Sequence, residues 1–110
     1  MLLPRPLTEA AAELIANRFG LLAEPMRVRI LDRLRDGESS VHELAEVLGT
    51  TPQNVSKHLG VLLREGVVQR RRSGNFAFYR VVDDGIWQLC HLVCGDLERR
   101  LETLRLQLSA

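Results

Sequence analysis

Residues Thr50–Glu65, TTPQNVSKHLGVLLRE, constrain the chain more than any other stretch. The hydroxyl of Thr51 can accept a hydrogen bond from an unpaired first-turn N–H, and Pro52 then takes the first helical position, where its missing N–H does no harm. From that start Val55, Leu59 and Leu62 recur at i, i+4 and i+7 and demand a core on one side. The opposite side carries Gln53, Asn54, Ser56, Lys57 and Arg64, with no acid among them; Glu65 comes only at the far end. An ordinary surface helix mixes both signs. A helix with this face is suited to sit on a core and turn its N-terminal half, with Thr51 at its start, to the edges of base pairs. His58, beside Leu59 at the edge of the core, leaves two readings open, a phosphate contact or a packing role.

The distribution of charge agrees with that helix. The chain's net charge is only +1, but residues 51–82 carry +5, while residues 1–50 and 83–110 carry −2 each. A concentrated basic segment attracts phosphates whatever the sign of the remainder. Past Gly66 the period changes from helical to alternating. Val67–Arg72 and Phe76–Val82 read as two strands around a Ser73-Gly74-Asn75 turn, a basic hairpin or wing over 67–82. Arg70 and Arg72 lie on one side of the first strand and Arg71 on the other, so the three cannot share a surface. Arg71, Arg72 and the tip residue Asn75 are the candidates for backbone or minor-groove contact.

The flanks read as helices. Pro4 and Pro6 mark a loose arm over 1–7, and Thr8 caps a first helix to about Leu22 with Leu14 or Ile15, Phe19 and Leu22 on one side. A second helix starts near Pro25, buries Ile30, Leu31 and Leu34, and stops at Asp36-Gly37. Ser40 and Glu43 form a capping box that opens a short third helix ended by Gly49. With the fourth helix it makes a helix-turn-helix over 40–65. A long last helix over 83–108 carries Ile86, Cys90, Val93, Leu97, Leu101, Leu104 and Leu108 down one side, a stripe longer than so small a core can cover. Self-association is the economical partner. The predicted fold is mainly α with a small β-hairpin, α-α-α-α-β-β-α, as one domain over 1–110.

No apolar run approaches the roughly 20 residues a membrane span needs. There is no secretory leader pattern, and two cysteines four residues apart are no disulfide framework, so a cytoplasmic protein is expected. An enzyme finds little support: there is no Gly-rich phosphate loop and no GxSxG, and Asp83-Asp84 reads as a helix start. A winged-helix module that docks proteins is the competing class, but it has no need of the +5 segment.

The order of elements resembles the ArsR/SmtB family of bacterial winged-helix repressors. Leu22-Ala23-Glu24-Pro25-Met26-Arg27-Val28-Arg29-Ile30-Leu31 is similar to that family's L-A-x-P-x-R-x-x-I-L signature. Leu44-Ala45, Leu48-Gly49, Gln53-x-Val55-Ser56-x-His58-Leu59-x-x-Leu62 and Gly66-Val67-Val68 leading to Arg71-x-x-Gly74 and Tyr79-Arg80-Val81 extend the likeness over nearly the whole chain. It implies a homodimer built through first and last helices, a pseudo-palindromic double-stranded DNA operator bound by the fourth helix and wing, and release when an inducer binds.

The sensing half departs from the family. The third helix reads Val41-His42-Glu43-Leu44-Ala45-Glu46, without the cysteine of the family's thiolate box, and Ile86 stands where another group of members has a histidine ligand. No cofactor is certain. Cys90 and Cys94, at i and i+4, are neighbours on one helical face. They leave three readings open: buried packing residues; a thiolate pair for a soft ion such as As(III), Cd(II) or Zn(II), completed by His91 or a partner-subunit group; or low-pKa thiols that sense oxidants.

Overall fold

Helices begin where the sequence supplies a side-chain acceptor. The computed structural model describes Leu3 and residues 5–109; residues 1, 2 and 4 of the expected arm and residue 110 lie outside them. The first helix, α1 (Glu9–Gly20), is capped by Thr8, whose Oγ1 accepts from Ala11 N at 3.1 Å. The second, α2 (Pro25–Leu34), starts on Pro25 with the Glu24 carboxylate accepting from Met26 N. The Ser40–Glu43 capping box is complete and opens α3 (Val41–Leu48). Gly49, at φ 66°, ends it in the left-handed conformation that glycine adopts without penalty. Thr51 Oγ1 accepts from Asn54 N at 3.1 Å and opens α4 (Pro52–Arg64).

The hairpin follows as β2 (Val68–Ser73) and β3 (Phe76–Val81), in antiparallel register from Val68 opposite Val81 to Ser73 opposite Phe76. Its turn is the two residues Gly74 and Asn75, with Gly74 at φ 62°, as a II′ hairpin requires at its first central position. A third strand was not expected. β1 (Ser39–Ser40) pairs with Tyr79 and Phe78, making the sheet order β1-β3-β2. The extended backbone that Ser40 needs as an N-cap places this segment along the open edge of β3.

Among the described residues these five helices and three strands enclose one core. Ile30, Leu31 and Leu34 of α2, Leu44 and Leu48 of α3, and Val55, Leu59 and Leu62 of α4 meet Val67, Val68, Tyr79 and Ile86 there. The expected stripes of α2 and α4 are thus the buried ones.

The last helix, α5 (Asp84–Ser109), starts as expected, with Asp83 Oδ1 accepting from Gly85 N at 2.9 Å and Ile86 N at 3.3 Å. Only Ile86 of α5 is fully buried; Val93, Leu97, Leu101, Leu104 and Leu108 are all exposed. At 26 residues it is about 39 Å long. The face expected of α1 is used only in part within the chain: Leu14 is 71% and Phe19 54% exposed and Ile15 half-buried, while Leu22, which lies past the end of the helix at Gly20, packs against the core. Among the described residues no helix is long and apolar enough to cross a membrane.

Candidate nucleic-acid interface

The turn between α3 and α4 holds the recognition segment rigidly. Thr50 N donates to Ala45 O at 3.0 Å and Gly49 N to Glu46 O at 3.3 Å, the paired bonds of a glycine-ended helix. Asn54 Nδ2 donates to Thr50 Oγ1 at 3.1 Å, so one arm of that amide braces the turn. With Val55, Leu59 and Leu62 seated in the core, Thr51, Gln53, Ser56 and Lys57 are left exposed and Asn54 half-buried. That face carries acceptors, donors and one cation, and Lys57 forms no ion pair among the described residues.

His58 corrects one expectation. It is only 5% exposed, and its Nδ1 lies 3.3 Å from Arg27 Nη1, so it has the packing role and is not offered to phosphate. The contact needs an unprotonated Nδ1, since a guanidinium can only donate. Burial pushes the pKa of His58 below its ordinary value, with Arg27 and Lys57 adding to the effect and Glu24 opposing it.

The arginines of the wing differ in their partners. Arg71 stands opposite Phe78 in the ladder, with its guanidinium carbon 5.0 Å from the ring centroid, and it forms an ion pair with Glu38. Its Nε donates to Glu38 Oε2 at 3.3 Å. That pairing keeps the Glu38 carboxyl below its usual range. Arg70 and Arg72, by contrast, share the strand face of Val68, which turns into the core at the hairpin's base. Towards the tip both are exposed and form no ion pair among the described residues. Arg70, passed over in the sequence, thus shares with Arg72 both its strand face and its freedom from ion pairs among the described residues, and the tip residue Asn75 is exposed as well. Its alternation with Val68 was the signal that could have found it.

The sulfur pair sits apart from this surface. Cys90 lies half-buried in a groove of about 550 Å³ between α2 and α5, beside Val28, Leu31, Arg35 and Trp87. Burial raises its thiol pKa, only partly countered by Arg35. Cys94 is exposed, with Sγ 3.7 Å from Glu98 Oε1, and His91 is exposed as well. Among the described residues no three His, Cys, Asp or Glu side chains converge on one point, so His91 does not complete a site with the two cysteines inside one chain.

A helix-turn-helix domain model matches residues 22–71 of the chain. The HTH-type transcriptional regulator KmtR of Mycobacterium tuberculosis is 40% identical over 86 residues, which are 78% of this chain and 66% of that protein, so the chain spans just under two thirds of it. The crystal structure of AntR, an antimony-specific transcriptional repressor, superposes with a TM-score of 0.80 at 31% identity, covering 90% of both chains. A homodimeric winged helix-turn-helix DNA-binding domain from Mycobacterium bovis, described as a possible ArsR-family transcriptional regulator, matches with a TM-score of 0.74 at 29% identity over 90% of this chain and 94% of that one.

Proposed function

Because the chain belongs to the ArsR/SmtB family of winged helix-turn-helix regulators, a family of DNA-binding proteins and not of enzymes, we propose that it is a homodimeric transcriptional repressor acting in the cytoplasm. Two copies pair through α1 and α5 and present two α4 helices to a pseudo-palindromic operator. One observation carries this reading. The acid-free face of Gln53, Ser56 and Lys57 on α4 is followed in the chain by a wing whose Arg70 and Arg72 form no ion pair among the described residues, whereas Arg71 is neutralised by Glu38. In this reading Gln53 and Asn54 read base edges, Thr51, Ser56 and Lys57 hold phosphate or guanine, and Arg70, Arg72 and Asn75 track the backbone. Exposed leucines on α5 and the homodimeric relative support the pairing. The test is titration of duplex DNA from the chain's own upstream region at rising salt. Steep loss of affinity is expected, with Lys57→Ala and Arg72→Ala weakening binding while leaving the dimer intact.

For the inducer, the donor set favours a thiophilic ion. Cys90 and Cys94 offer two soft sulfurs one turn apart, and the antimony-specific repressor is a close structural relative. A trivalent metalloid held by this pair would need a third donor from the partner subunit, since no three His, Cys, Asp or Glu side chains converge among the described residues. Held so, it would join the two α5 helices. Replacing both cysteines by serine and measuring operator release by antimonite or arsenite decides the point. Loss of release supports the pair, and unchanged release removes it.

A further inference from the structure

Arg27 takes no part in the surface described above, yet its guanidinium on α2 reaches three acceptors on two other segments at once. Nε donates to Leu21 O at 2.8 Å and Nη2 to Gly20 O at 3.1 Å, both at the C-terminal end of α1, where a cation also suits the helix dipole. Nη1 lies 3.3 Å from His58 Nδ1, one residue after Lys57 on α4. The fixed fork of a guanidinium can bridge three acceptors in this way, whereas the point charge of a lysine cannot. A second arginine works in parallel. Arg18 of α1 forms an ion pair with Asp83, the residue that caps α5, and its Nη1 donates to Glu65 O at the end of α4, at 3.3 Å. The exposed leucines that need a second copy lie on α1 and α5, while the groove-reading face lies on α4. Both arginines connect these two parts.

We propose that Arg27 is a positioning residue for operator binding: by clamping the end of α1 to His58, it fixes the angle between the arm that pairs two copies and the helix that reads the duplex. The inference rests on the dimeric, operator-binding reading. A rigid angle fixes the distance between two α4 helices, and therefore the half-site spacing the dimer accepts. Loosening the clamp leaves each α4 face chemically intact but lets the spacing vary.

The experiment uses the full chain and a duplex selected from a random double-stranded library, then rebuilt with its half-sites one base pair closer and one farther apart, plus a single half-site. The wild type is expected to discriminate by at least about tenfold against the altered spacings. Arg27→Gln is expected to lose most of that discrimination while binding the single half-site within about threefold of wild type. Arg27→Lys, which keeps the charge, is expected not to restore it. His58→Gln leaves the bonds to α1 in place and tests the α4 end of the clamp should Arg27→Gln fold poorly. Folded, dimeric variants that keep the wild-type preference overturn the proposal. A wild type that binds all spacings alike overturns it too, with the DNA-binding reading intact; a wild type that binds no duplex removes both.

Discussion

Residues 40–82 and the two arms, α1 and α5, solve the same problem in opposite ways. In the first region the apolar stripes of α3 and α4 find partners within the chain, and the N-terminal half of α4 turns Gln53, Ser56 and Lys57 outward. In the arms the apolar residues stay outside: Leu97 is 51% and Leu101 65% exposed, on a helix that buries only Ile86. Burying apolar area drives both folding and association, so a stripe left open in one chain marks where a second copy belongs. The difference teaches that, in the proposed reading, one chain supplies a whole reading surface, whereas the spacing of two such surfaces is a property of the pair.

Breaking the arms should have the largest effect. The double substitution Leu97→Asp with Leu101→Asp is expected to give a monomer by analytical ultracentrifugation and to lower operator affinity about a hundredfold or more, since bivalent engagement is lost. Binding to an isolated half-site should survive. A dimer that persists would mean the stripe is not the pairing face.

Smaller effects sharpen the other side of the comparison. Lys57→Ala or Arg72→Ala should weaken operator binding about tenfold and lower the slope of log affinity against log salt by about 1. Arg71→Ala should change affinity less than about threefold, because Glu38 already holds that guanidinium. Equal losses for Arg71 and Arg72 would reverse the assignment of wing faces. Thr51→Ala, which removes the cap of α4, should destabilise the fold by about 1 kcal/mol in thermal or urea unfolding.

The gentlest probe is pH. His58 has a depressed pKa in the fold, so the unfolded chain binds its proton more readily. Stability is therefore full above the ordinary histidine pKa and falls as pH drops from there towards the folded value. Protonation also removes the acceptor that Arg27 uses and places two cations together. The melting temperature should fall over this window in the wild type and less so in His58→Gln. Identical pH profiles would mean the Arg27 contact contributes nothing.

What was legible in the sequence follows the range of the interaction that decides it. Thr51 with Pro52, Ser40 with Glu43, and Gly49 act on backbone groups within a turn, so the helix starts and stops could be read directly. The periods of α2 and α4 gave the core because Ile30, Leu31 and Leu34, and Val55, Leu59 and Leu62, recur at helical spacing on one face. β1 could not be read, since two residues have no period and only the neighbouring β3 edge makes Ser39–Ser40 a strand. The choice between Arg71 and Arg70 turned on Glu38, 33 residues earlier, and that of His58 on Arg27, 31 residues earlier. Both depend on contacts that exist only after folding. The apolar face of α1 was legible as a face, but from the residues alone, without the family resemblance, not as one left for another chain.

The most direct measurement is a hydroxyl-radical footprint of the full chain on the duplex selected in vitro. Two protected stretches are expected, about one helical turn apart or a multiple of it and related by a pseudo-dyad, and both should disappear at high salt. A single protected stretch in the dimer, or no protection at low salt, would contradict an α4 and wing surface that acts in pairs on DNA.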